Sequence, residues 1–136
     1  MGGMTQETRQ INTLLDSILR DKPQKVAKLL VENPNLIKCD FHHGNTNPMC
    51  RTSYLGYRNI MAILIKAGGD VNKTSHMERT PLIWAAFRGN INMISMLLEH
   101  NADYTCVDTD GWNALDIAVV RMQYKAAKYL LEHTDL

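Results

Sequence analysis

Cysteine is scarce, and the little there is argues against a disulfide scaffold. Cys39, Cys50 and Cys106 are unevenly spaced, and their odd number leaves one thiol unpaired in any oxidising compartment. The pattern points to a reducing, intracellular setting, cytoplasmic or nuclear. Long apolar runs are missing as well. None approaches the ~20 residues that a bilayer-spanning helix needs, and the opening MGGMTQETRQ lacks the apolar stretch of a secretory signal. Gly2 follows Met1 as in a myristoylation start, but Gln6 stands where that pattern wants Ser or Thr, which counts against a lipid anchor. Nor does one charge dominate. With 15 basic and 14 acidic residues the chain carries +1, too weak a field to make nucleic acid or an anionic membrane its main partner. Catalytic signatures are absent too: there is no phosphate-cradling glycine loop, nucleophile elbow or His-Glu-x-x-His helix, and the carboxylates are scattered. The chain reads as a non-enzyme without a cofactor.

What the sequence does hold is apolar content, 45% of 136 residues, enough for one compact domain or a short solenoid. A repeat decides between them. A step of 33 residues lays Asn47-Pro48-Met49 over Thr80-Pro81-Leu82 and over Asn113-Ala114-Leu115. The same step links Leu64, Leu97 and Leu130, then Ile65, Leu98 and Leu131, then Gly56, Gly89 and Met122. Within one unit, the stretch from Pro81 to Arg88 predicts a short helix, because proline tolerates a first turn whose N–H has no partner. Gly89 and Asn90 break it. Ile91, Ile94, Leu97 and Leu98 then recur at helical spacing, predicting a second helix that returns alongside the first. A polar stretch from Asn101 to Asp110-Gly111 follows and reads as a projecting loop. The N-terminal part is less regular. Ile11, Leu14, Leu15, Ile18 and Leu19 form a helical stripe, Pro23 opens a second helix, and Asn33-Pro34-Asn35 ends it. A two-residue excess around Phe41 to Gly44 predicts a longer first loop. The units are therefore expected at about residues 7–43, 44–76, 77–109 and 110–136, as one domain.

On these residues the chain resembles the ankyrin-repeat family, whose unit opens with Gly-x-Thr-Pro-Leu-His-x-Ala-Ala. Thr80, Pro81, Leu82, Ala85, Ala86, Gly89, Leu97, Leu98, Ala102 and Asp103 carry the match in the third unit. Pro48, Gly56, Leu64, Gly68, Asp70, Val71 and Asn72 carry it in the second, and Asp110, Gly111, Leu115, Ala118, Leu130 and Leu131 in the fourth. The resemblance implies an all-α solenoid of helix-turn-helix units with β-hairpin-like loops. The departures are that Cys50, Ile83 and Asp116 replace the usual histidine, and that Glu78 stands at a tight-turn glycine. No polar capping unit is evident near Leu136, so the last helix is expected either to cap the stack modestly or to belong to a longer protein.

The resemblance further implies that partners are gripped on the concave side, by loop tips and first helices. The two residues before each unit glycine or its equivalent, Tyr54 and Leu55, then Phe87 and Arg88, then Val120 and Arg121, form a ladder at the repeat period, with Trp84 and Trp112 nearby. Aromatics and arginine are the residue types that dominate binding hot spots. Tyr54, Arg79, Trp84, Phe87, Arg88, Trp112 and Arg121 are accordingly the expected contacts of a partner protein or peptide; the alternative for Trp84 is that it only packs between first helices. Lys73 to Arg79 and Val107 to Asp110 are expected to form two exposed fingertips of differing charge, and a partner with a mixed or acidic segment is expected to meet Arg79, Arg88 and Arg121 while avoiding Asp108 and Asp110. The chain is expected to be monomeric, without nucleic acid or membrane. The alternative reading is a structural or regulatory segment of a larger protein that docks on its own neighbouring domain and is marked by an exposed apolar end. Asn72, eight residues after Leu64, has the spacing of asparagines hydroxylated in ankyrin loops, or it serves only to bond the loop backbone. Cys39, His42, His43 and Cys50 bring zinc-favouring groups into twelve residues, but no second ligand pair completes a site, so no metal is expected. His100 and His133, one period apart, are placed to complement helix dipoles.

Overall fold

The computed structural model describes residues 3–42 and 44–136. Gly2 and His43, named above for a lipid anchor and for zinc, lie outside the described residues. The described residues form eight α-helices in four antiparallel pairs: α1 (Gln6–Leu19) with α2 (Pro23–Glu32), α3 (Pro48–Leu55) with α4 (Arg58–Lys66), α5 (Pro81–Arg88) with α6 (Ile91–Glu99), and α7 (Ala114–Val120) with α8 (Tyr124–His133). A 3-10 turn, Pro34–Lys38, follows α2.

Local chemistry starts each inner helix. Asn47, Thr80 and Asn113 accept hydrogen bonds from the backbone N–H groups of Cys50, Ile83 and Asp116, each satisfying a donor that the first turn leaves open. Pro48 and Pro81 occupy the first helical position. The two departures from the family histidine that carry polar groups are rebuilt differently. The Cys50 thiol reaches the carbonyl of Lys73 at 3.1 Å, while Asp116 closes a reciprocal capping box with Asn113. Ile83 is simply buried.

The core runs lengthwise, because each pair covers only part of its apolar face and the neighbour covers the rest. α5 packs on α3 and α7 on α5, and these first-helix contacts are the most extensive between units. They are close because the facing positions are small: Ser53, Ala85, Ala86 and Ala118 are all buried. In the first pair Leu14 and Ile18 are buried and Ile11 and Leu15 pack against the core, but Leu19 is 46% exposed and falls outside the expected stripe.

The two-residue excess of the first unit is divided. One residue lies in its loop, where the Phe41 N–H bonds the Thr46 carbonyl across six residues; the later loops close across five, Ser75 to Arg79 and Asp108 to Trp112. Each loop is thus a short finger closed by a backbone bond. Neighbouring fingers are joined by one more, from His76 N–H to the Asn45 carbonyl (2.9 Å) and from Thr109 N–H to the Met77 carbonyl (2.9 Å). Glu78, at the expected glycine position, is accommodated because it and Met77 both adopt left-handed backbone, φ 57° and 61°, the conformation of the tight mirror-image turns that join strands.

The turn inside each pair also needs left-handed backbone. Gly56 and Gly89 supply it (φ 78° and 69°), and a side-chain carbon at either site would collide with the next unit's Asn90 or Gln123. In the fourth unit the same turn is made by Met122, at φ 61°.

Candidate functional site

Of the seven residues expected to contact a partner, six converge on one surface. The ring centroids of Tyr54 and Trp84 are 5.7 Å apart, and those of Trp84 and Phe87 5.5 Å, both edge to face. Tyr54 and Phe87 close the triangle at 6.3 Å. Arginines lie over its faces: Arg88 over Tyr54 at 4.9 Å, Arg121 over Phe87 at 4.0 Å, and Arg79 over Trp84 and Phe87 at 5.0 and 5.4 Å. The helical frame explains the convergence. Tyr54 and Phe87 are equivalent positions on adjacent first helices, Trp84 lies one turn before Phe87, and Arg121 falls at the end of the next first helix. Guanidinium groups over aromatic faces gain from the ring quadrupole while leaving N–H donors at their edges.

Two of the seven sit differently from expectation. Trp112 is 38% exposed at the base of the third finger and joins no aromatic or cation–π contact among the described residues. Arg79 is not a free charge. Its Nε bonds Asp108 Oδ2 at 3.2 Å, with only 11% of its side chain exposed and none of Asp108's. Sequence reading placed Asp108 among the exposed fingertip charges; instead it organises the third finger. Its Oδ1 accepts the N–H groups of Asp110 (2.9 Å) and Trp112 (3.1 Å). Burial works against its charge, but those two N–H groups and Arg79 outweigh it and hold the carboxyl below its ordinary value. Arg79 thus supports the aromatic triangle from the finger side. Trp84 packs against Tyr54 of the neighbouring first helix, donates its indole N–H to Ser75 Oγ at 2.8 Å, and keeps part of its surface exposed.

Other polar groups tie the units together. Asn72 accepts the Asp103 N–H at 2.8 Å across the second and third units. Lys73 reaches the carbonyls of Lys38 and Cys39 and the Asp40 carboxylate. Gln123 bonds the Phe87 carbonyl at 3.2 Å, behind the aromatic triangle. The rings of His100 and His133 bond the carbonyls of Met96 and Tyr129 in their own last turns. Among the described residues no three His, Cys, Asp or Glu gather as metal ligands, and burial pushes the Cys39 and Cys50 thiols up to about 11.

Sequence reasoning missed Arg51. It occupies the position that is Trp84 one unit later, on the floor of a cleft of about 270 Å³ between the first two fingers, lined also by Gly44, Asn45, Thr46, Tyr54, Ser75 and His76. The signal available was the arginine itself, a charge at a register position that is aromatic or aliphatic in the next two units.

Stacked helix pairs joined by finger loops, with first helices innermost, define a repeat solenoid. A model of ankyrin repeats matches residues 49–136 in three copies, and the chain belongs to the ankyrin-repeat family. The irregular first pair precedes the matched segment and extends the stack. Among similar proteins, a putative ankyrin repeat protein of Fowlpox virus is 34% identical over 74 residues, 54% of this chain and 11% of its own. Inversin of Canis lupus familiaris is 38% identical over 69 residues, 51% of this chain and 6% of its own. A glycerophosphocholine phosphodiesterase of Candida albicans is 26% identical over 126 residues, 91% of this chain but 11% of its own. The chain spans about a tenth or less of the length of these relatives. Ankyrin repeats are in general protein–protein interaction modules, and no described helix is long and apolar enough to cross a membrane.

Proposed function

We propose that the chain is a non-catalytic binding module that holds a partner protein or peptide on its concave face, centred on Tyr54, Trp84, Phe87, Arg88 and Arg121. The single observation that supports it is the assembly of those residues, drawn from three units, into one contiguous aromatic surface with arginines over its rings. Such a surface combines large apolar area with directional donors, the combination that concentrates binding energy. Arg79 contributes by holding the surface, and Trp112 extends it along the third finger. Affinity capture with mass spectrometry tests the reading. The double variant Phe87→Ala, Arg88→Ala is expected to lose proteins enriched by the wild type while melting as a folded domain; identical capture by both forms would refute it.

A second reading, a segment that docks within a larger protein, is favoured by a different observation. The fourth pair exposes Val119, Val120, Met122, Tyr124 and Leu131, each to 50% or more. These residues give the fourth pair an exposed apolar surface.

A further inference from the structure

We propose that the cleft between the first and second fingers is a carboxylate-binding site, in which Arg51 holds an aspartate or glutamate side chain of a partner peptide. The proposal rests on the concave-face reading and specifies the chemistry at one edge of that face.

Among the described residues Arg51 has no counter-charge. Its Nε is buried and has no hydrogen-bond partner among the described residues, and none of their four ion pairs includes it. The guanidinium lies over Gly44, where a side-chain carbon would stand 2.9 Å from a terminal nitrogen, so a glycine is what lets it lie there. Arg79 makes the contrast, since it is comparably enclosed and is matched by Asp108. A half-buried cation without an anion pays desolvation with no return, and an incoming carboxylate supplies it. The planar fork of arginine donors fits the two oxygens of a carboxylate.

The rest of the lining suits the same ligand. It contains no carboxylate. Ser75 Oγ accepts the Trp84 indole N–H, which fixes that hydroxyl on the cleft wall. The Tyr54 and Trp84 rings supply apolar walls for the methylenes that carry an acidic group. Tyr54 and Trp84 also belong to the aromatic triangle, so a peptide anchored in the cleft runs directly onto the wider face. The lining holds a single arginine rather than a basic track, which fits one acidic residue and not a phosphate backbone.

The test titrates the ¹⁵N-labelled chain with the terminally blocked peptide Ala-Glu-Phe-Asp-Ala. Its amide twin, Ala-Gln-Phe-Asn-Ala, and a version with phosphoserine for glutamate serve as comparisons. Saturable shifts of the Arg51 Nε–H and Trp84 indole N–H signals are expected with the acidic peptide, with affinity about tenfold or more lower for the amide twin and for Arg51→Gln. Arg51→Lys keeps the charge without the fork and is expected to fall between. Equal binding of the two peptides, no loss in Arg51→Gln, or binding of the phosphoserine version alone would overturn the assignment. If Arg51→Gln fails to fold, Arg51→Lys and the amide twin decide. The Phe87→Ala, Arg88→Ala variant separates the two readings. Acidic-peptide shifts retained in it support the cleft in its own right, whereas capture that depends on Phe87 and Arg88 while the acidic peptide never binds leaves the face standing and removes the cleft.

Discussion

The third and fourth units are cut to one template and meet different surroundings. Ala86 is fully buried, and its equivalent Val119 is 50% exposed. Leu98 packs against the core, while Leu131 is 56% exposed. Gly89 leaves room for Gln123, but Met122 puts a long side chain, 68% exposed, at the same left-handed turn. Between the second, third and fourth units these positions are small, and on the fourth pair they are large and exposed. The comparison teaches that the repeat period records the hairpin, whereas the residues at its seam differ with what each unit meets. Val119 and Met122 stand where the third unit has Ala86 and Gly89.

The largest expected effect breaks the third finger, where the third and fourth units meet. Asp108→Ala leaves Arg79 enclosed without its anion and removes two backbone anchors, and should cost about 3 kcal/mol in urea unfolding. Adding Arg79→Leu should recover part of that loss; a single variant as stable as wild type would show the pair to be idle. The same contribution depends on pH. Because the folded carboxyl lies below its ordinary 3.8, the contribution is present above about pH 4 and disappears as pH falls through the depressed value. An acid unfolding curve unchanged by Asp108→Ala would contradict the assignment.

The turns come next. Gly89→Ala should destabilise by roughly 2 kcal/mol, since it combines left-handed strain with displacement of Gln123. Met122→Gly should instead stabilise by about 1 kcal/mol, relieving strain at a site with nothing stacked over it. Thermal melts that moved both in the same direction would erase the distinction between seam and end.

The smallest effect on stability belongs to the exposed end itself. Val119→Lys with Leu131→Lys should change the unfolding free energy by no more than about 0.5 kcal/mol per site, while lowering hydrophobic-dye binding and any self-association. A large loss of stability would place these side chains in the core and remove the basis of the docking reading.

The fold was legible because the stack repeats its demands. Every unit needs a cap before a first helix, small residues on it, a left-handed turn and a leucine on the return, so 33-residue offsets revealed them. The aromatic part of the site was legible for the same reason, since Tyr54, Phe87 and Arg121 fall at or beside one register position. Interactions between units were not. Arg79 with Asp108 and Asn72 with Asp103 are each about one repeat apart in sequence, and their pairing depends on how one unit turns against the next. Arg51 was hidden because reading by register favours what recurs, and Arg51 is the member of its set that does not.

The backbone bonds between fingertips have a consequence for how the face responds to load. His76 and Thr109 each lend a single N–H to the finger before, so the fingertips form a ledge one bond wide, supported by helices behind it. Deflecting one finger loosens the carbonyl or amide of the next. Whatever lies across the tips therefore pushes on several units at once and meets a surface that yields as a strip rather than finger by finger.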